Sequence, residues 1–174
     1  MKLFIIYCVL MFSLLAGSCQ EPVEKTKLIT KTSSKNIIEL IQDQIKNEKG
    51  KLKRKKELLT KLHEYIGVRY RWGGRTKKGI DCSALVQNSY SSIGIRLPRC
   101  SYDQFEKGEF VDTSNIEVGD LLFLKNRKRV NHVGVYIGND KVIHASGRKV
   151  KIDDVAVFYN SKSRDFVGPK RILL

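Results

Sequence analysis

The chain has 174 residues, and 33 Lys and Arg against 18 Asp and Glu give it a formal charge of +15. A 41% apolar and 29% charged composition excludes a disordered or fibrous protein and fits one ordinary domain with a real core. The basic excess implies acidic surroundings such as lipid headgroups, wall polymers or nucleic acid, and four cysteines are too few for a disulfide scaffold.

The first element is an export signal. "MKLFIIYCVLMFSLLAGSCQ" opens with Lys2, continues as an apolar run from Leu3 to Leu15 and reaches the small residues Ala16, Gly17 and Ser18. The run is shorter than the roughly 20 apolar residues of a spanning helix, and the small residues suit a signal peptidase. Cys19 follows directly, as in a bacterial lipobox whose cysteine is diacylated after cleavage; Ala16 stands where such boxes more often carry Leu. Residues 1–18 are therefore read as a lipoprotein signal peptide and Cys19 as the lipidation site. Export removes nucleic acid from the expected partners. Gln20 lacks the Asp that commonly signals inner-membrane retention, which points to a lipid anchor on the periplasmic face of an outer membrane.

Residues 19–35, polar and containing Pro22, read as the lipidated cysteine and a flexible tether. Ile37, Ile38, Ile41 and Ile45 then recur at helical spacing, with Asn36 and Glu39 as a capping box. Gly50 is expected to end or break that helix. A second helix is expected to put Leu52, Leu58, Leu59, Leu62 and Ile66 on one face, so that 36–64 forms a helical extension. The basic run 51–56, "KLKRKK", reads as a solvated helix face, with attraction to anionic lipid or wall carboxylates as the functional alternative.

From residue 67 the texture changes to strands and tight turns, and 65–174 is read as one domain. "YRWGG" ends an extended segment, and "CSALVQNSYSSIG" (82–94) reads as a helix stopped at Gly94. "DLLFLK", "HVGVYIG", "KVIHAS" and "VKIDDV" (150–155) are strand-like. Helices followed by a run of strands argue an α+β fold with an antiparallel sheet.

The chemistry starts with cysteine arithmetic. If Cys8 leaves with the signal and Cys19 takes the lipid, only Cys82 and Cys100 remain, either as one disulfide or as at least one working thiol. Cys82 opens the 82–94 helix, where unsatisfied N–H groups and the dipole favour a thiolate. A nucleophile also needs a base, and the base an orienting partner. His132 and His144 lie on neighbouring strands of an apparent hairpin. A plain two-residue loop at Asn139-Asp140 would turn them to opposite faces, so their cooperation requires an odd loop or a bulge. His63, on the polar side of a charged helix, is assigned no role.

"YRWGGRTKKGIDCSALV", "LPRCSYDQ", "VGDLLFL", "NHVGVYIG" and "VIHASG" resemble, in order and spacing, the successive motifs of the NlpC family of cell-wall cysteine peptidases, in its small envelope-lipoprotein branch. The resemblance covers residues 65–174. It implies a papain-like α+β fold, with the nucleophile helix packed on an antiparallel sheet. Carried over by position, it makes Cys82 the nucleophile, His132 the general base and acid, and His144 the residue that orients His132. The Cys82 N–H and the Tyr70 hydroxyl would stabilise the oxyanion. Asp81 and Ser83 would bind polar ends of the substrate, and Trp72 with Gly73-Gly74 would shape the wall, though turn and core packing explain those three equally well. Asp120 is expected to fix a turn.

The implied function is cysteine endopeptidase action on peptidoglycan stem peptides by a monomer, with no cofactor and no metal. The bond is either the γ-D-glutamyl link to a diamino acid or the D-alanyl cross-link to diaminopimelate. Cys100 stands where the family commonly has Thr or Ser; it reads as a small buried substitute or as half of a regulatory disulfide with Cys82. The rival functions are a non-catalytic peptidoglycan-binding lipoprotein, an amidase or acyltransferase using the same triad, and a zinc site made of Cys82, Cys100, His132 and His144.

Overall fold

The computed structural model describes residues 23–172, with side chains described from residue 36. The signal peptide and the lipidation site at Cys19 lie outside the described residues. The chain divides into two compact units, Met1–Ile45 and Lys46–Leu174.

One helix, α1 (Val23–His63), replaces the tether and the broken pair of helices that the sequence suggested. Gly50 sits inside it, with no atom near the position a Cβ would take. An isolated glycine costs a helix only about 1 kcal/mol, and the Lys, Glu and Leu around it are strong helix formers. In the first unit, Ile37, Ile38, Leu40, Ile41 and Ile45 are exposed. In the second unit the buried stripe is Leu58 and Leu62, whereas Leu52 and Ile66 face solvent. The inward face is thus 51/55/58/62, which keeps Leu58 and Leu62 of the expected face and has Lys51 and Lys55 in place of Leu52 and Ile66. Lys55 on that face pairs with Glu117 at 2.8 Å and Lys51 with Glu48 at 3.1 Å, while Lys53, Arg54 and Lys56 are exposed.

A small ribbon, β1 (Arg75–Thr76) and β2 (Gly79–Ile80), leads into α2 (Cys82–Ser91) and a short α3 (Ser101–Phe105). Six strands follow: β3 (Glu109–Phe110), β4 (Leu121–Asn126), β5 (Arg129–Gly138), β6 (Lys141–Ser146), β7 (Lys149–Asp154) and β8 (Asp165–Arg171), with a one-turn α4 (Ala156–Tyr159) before β8. They form one antiparallel sheet in the order β3-β8-β4-β5-β6-β7. Alternation sorts its faces. Val133, Val135, Ile143 and Ala145 pack with Leu85 and Val86 of α2. Leu122, Leu124 and Val142 pack with Phe158 of α4 on the other side.

The fold is the expected α+β arrangement. β8 was not legible in the sequence, because Gly168 and Pro169 interrupt its pattern. Proline is ordinarily confined to strand edges or bulges, and here the β4–β8 ladder shifts register next to it.

The β5–β6 hairpin carries the feature that the two histidines required. Asn139 and Asp140 form the turn with φ of 51° and 54°, values that Asn and Asp tolerate better than most residues. Val135 pairs with Ile143 and Tyr136 with Val142, but Gly138 pairs with Lys141. The extra residue, Ile137, is a bulge, and it returns His132 and His144 to one face.

Candidate active site

Asp81 and Arg99 build the platform for Cys82. Asp81 is the N-cap of α2, and its Oδ1 accepts the Ala84 N–H at 2.8 Å. Arg99 grips the carboxylate with both terminal nitrogens, at 2.9 Å and 2.5 Å, and also donates to Ser83 Oγ at 2.9 Å. Ser83 Oγ donates to Asp81 Oδ1 at 3.1 Å, and the Gly73 N–H donates to Oδ2 at 3.1 Å. Gly74 must be glycine, since a Cβ would lie 2.4 Å from the Gly79 oxygen and 2.9 Å from the Arg71 oxygen. The charges and hydroxyls of "DCS" are thus occupied by internal partners that fix the start of the helix.

The thiol of Cys82 is buried. Burial pushes it up, and the Asp81 charge pushes the same way; the main-chain N–H groups of Val133 and Ser83 and the charge of Arg164 oppose this. The thiolate expected at a helix N-terminus is therefore not the resting state of the isolated group, because desolvation outweighs the amide donors. The contact with the Val133 amide sets the sulfur one peptide unit from His132.

His132 and His144 are both buried, and His132 Nε2 lies 2.9 Å from His144 Nδ1. Gly134 makes room for this pair: a Cβ there would lie 2.8 Å from Phe158 Cζ and 3.2 Å from His144 Cβ. Phe158 stacks on the His132 ring at 5.6 Å and lies 5.2 Å from the His144 ring. Burial drives both imidazoles below the ordinary histidine range, His132 strongly. On the far side, His144 Nε2 lies 2.9 Å from Asp153 Oδ2, which also accepts from Lys151 Nζ at 2.6 Å.

A cavity of about 460 Å³ opens beside Cys82, lined among others by Tyr70, Trp72, Asp81, Ser83, Arg99 and Cys100. Trp72 is 84% exposed, so it is a wall of the cavity and not a core residue. Tyr70 is half-buried; burial and then the Cys82 and Asp81 charges push its phenol up, which keeps the O–H as a donor. Cys82 and Cys100 are both free thiols, and Cys100 is exposed, which corrects its reading as a small buried residue. Asp120 fixes its turn as expected, accepting the Glu117 N–H at 2.7 Å while gripped by Arg171.

Several site residues were not anticipated. Arg99 binds Asp81, the acid that precedes Cys82. Arg129 lies over the Tyr102 ring at 5.1 Å on the cavity wall, and Arg164 acts on Cys82 and both histidines. Asp153 had a signal, since strand alternation puts Lys151 and Asp153 on the face of β7 that meets His144.

The NlpC/P60 family model matches residues 67–167. The chain belongs to the NlpC/P60 family. Over 155 residues it is 36% identical to a probable endopeptidase NlpC homolog of Haemophilus influenzae, covering 88% of this chain and 82% of that one. Over 115 residues it is 40% identical to the murein DD-endopeptidase MepS/murein LD-carboxypeptidase of Escherichia coli K12, covering 66% of this chain. That match spans 61% of the Escherichia coli protein. Among solved NlpC/P60 structures, a lipoprotein-like member from Staphylococcus aureus superposes with a TM-score of 0.63 at 26% identity, covering 70% of this chain and 42% of that one. The NlpC/p60 domain of the peptidoglycan hydrolase SagA gives 0.58 at 26% identity, covering 68% and 98%. These NlpC/P60 neighbours share the helix-plus-antiparallel-sheet architecture that carries Cys82, His132 and His144 here.

Proposed function

We propose that this protein is a lipid-anchored cysteine endopeptidase that hydrolyses stem peptides of peptidoglycan, with Cys82 as nucleophile, His132 as general base and acid, and His144 orienting His132. The observation that carries the reading is the buried His132–His144 pair at 2.9 Å, set beside a cysteine that opens a helix and faces a cavity. His132 takes the thiol proton as sulfur attacks the scissile carbonyl. The proton then passes to the departing amine, leaving a thioester that water hydrolyses with His132 again as base. The Cys82 N–H and the Tyr70 O–H are the donors for the oxyanion, and such a donor supplies about 2.7 to 4 kcal/mol of barrier lowering.

Several features support a stem-peptide substrate. Arg75 and Arg129 line the cavity and form no ion pair among the described residues, so they suit a ligand bearing several carboxylates. The internal commitments of Asp81 and Ser83 assign them to holding the nucleophile in place, with Trp72 as the exposed wall. Among the candidate bonds, likeness to a murein DD-endopeptidase favours the D-alanyl to diaminopimelate cross-link. Lipid attachment at Cys19 would place the enzyme on the periplasmic face of the outer membrane, acting as a monomer.

The test is digestion of purified peptidoglycan by wild type and by Cys82→Ser, with products resolved by mass spectrometry. Release of uncrosslinked stems by wild type alone is the expected result. Fragments cut at γ-D-glutamyl would reassign the bond, and release of nothing by folded, reduced protein would overturn the enzyme in favour of a wall-binding module.

A further inference from the structure

The hydrogen-bond chain that starts at His132, one residue before the amide that meets the Cys82 sulfur, does not stop at His144. A neutral His144 carries its single proton on one of its two ring nitrogens, so its two contacts, at 2.9 Å to His132 Nε2 and 2.9 Å to Asp153 Oδ2, constrain each other. Asp153 is a carboxylate that only accepts, and Lys151 Nζ at 2.6 Å, together with His144, outweighs its burial and holds it below the usual range. His144 Nε2 must therefore carry the hydrogen, and His144 Nδ1 is left as the acceptor. His132 Nε2 then has to donate, which leaves His132 Nδ1 as the bare nitrogen that can take a proton. One carboxylate on β7 thus sets the tautomers of two rings on β5 and β6.

We propose that Asp153 is a positioning residue of the active site, fixing both histidine tautomers and supplying the countercharge when the thiol proton moves onto His132. The proposal rests on the assignment of Cys82 and His132 as the reacting pair. The proton balance is simple. In the neutral site sulfur holds one proton and each imidazole holds one. In the charged site sulfur is a thiolate, and the histidine pair carries one extra proton, shared along the line toward Asp153. No oxidant or co-reactant enters.

The groups that face His144 are His132 from β5, Lys151 and Asp153 from β7, and Arg164 from the segment before β8. Those acting on His132 are His144 and Arg164, and Asp81 and Arg164 act on Cys82. Among them, Asp153 is the anion hydrogen-bonded to the histidine pair. Burial disfavours a lone charge on either side of the proton transfer, so loss of that anion acts directly on how much ion pair the site holds. A drop of one pKa unit in the imidazolium lowers the thiolate population about tenfold.

The experiment reads Cys82 itself and needs no substrate. Iodoacetamide labelling of the full chain is followed by mass spectrometry of the peptide containing Cys82, from about pH 5 to pH 10, in wild type, Asp153→Asn, Asp153→Glu and Lys151→Met. The expected result is about tenfold slower labelling of Asp153→Asn near pH 6.5, with recovery in Asp153→Glu and a gap that narrows as pH rises towards 10, where the thiol ionises increasingly without the histidine pair. Lys151→Met removes a cation beside His144 from a half-buried position and is expected to speed labelling near pH 6.5. Identical profiles for wild type and Asp153→Asn would overturn the proposal. So would an Asp153→Asn deficit that is the same at every pH, which marks a merely structural role. If wild type shows the expected profile yet leaves peptidoglycan intact, the substrate reading fails and the role of Asp153 stands.

Discussion

His144 reaches His132 across a glycine. The two rings lie on the same face of adjacent strands, and Gly134 occupies the position where any side chain would press on Phe158 and His144. Gly134→Ala is therefore expected to cost about 1–3 kcal/mol of stability through overpacking. It is also expected to reduce hydrolysis further than Phe158→Leu does, because it displaces His144 as well as the ring beneath it. Urea unfolding and peptidoglycan release, measured side by side, check both parts.

Replacing the two histidines separates their roles. His132→Ala is expected to abolish turnover to the level of Cys82→Ser. His144→Ala is expected to keep a residual rate, since the base remains but loses its orientation; general-base contributions are of order 10²–10⁴. Equal residual rates for the two variants would contradict the division of labour.

Buried imidazoles also tie stability to pH. Burial holds His132 and His144 below the ordinary value of 6.5 in the folded chain, whereas unfolding returns them towards it. The unfolded state then binds more protons as pH falls below about 6.5, so folding free energy is full above that value and is lost progressively towards the depressed folded values. The urea midpoint is expected to fall between pH 7.5 and pH 5, and the fall is expected to shrink in a His132→Gln/His144→Gln double variant. The window avoids the carboxylates with depressed values, Glu64, Glu117 and Asp153, whose linkage lies at lower pH.

Asp81 and Arg99 offer a contrast with Trp72. Asp81→Ala removes an N-cap and leaves a half-buried guanidinium without its partner, for an expected loss of roughly 2–4 kcal/mol. Trp72→Ala touches an exposed wall, so its stability is expected to stay within about 0.5 kcal/mol of wild type, while KM for peptidoglycan fragments rises. Calorimetry and initial-rate kinetics on the two proteins distinguish platform from wall.

What the sequence disclosed depended on how local the signal was. The helix opening at Cys82 and strand β6 from Lys141 to Ser146 follow from short-range pattern and turn chemistry, and the need for an odd loop or a bulge in the hairpin followed from asking how two histidines could share a face, though not its place at Ile137. Gly50 misled because a single glycine is a weak break among strong helix formers. Leu58 and Leu62 were placed correctly on the buried stripe of α1, but Leu52 and Ile66 were not, because Lys51 and Lys55 share the inward face and a lysine that pairs at a rim looks like a solvent residue in a sequence. The raised thiol of Cys82 was out of reach, since helix position is local but burial depends on the strands that arrive fifty residues later.

The support for Cys82 from Val133 is a main-chain amide. No side-chain replacement at position 133 other than proline can delete that donor, so the surroundings of Cys82 are insulated from drift in the strand's composition. The donor exists at that spot only when β5 has met α2, and the histidine pair only when β5 has met β6. The unfolded chain therefore carries an ordinary, idle thiol, and the surroundings of Cys82 come into being only when the sheet is complete.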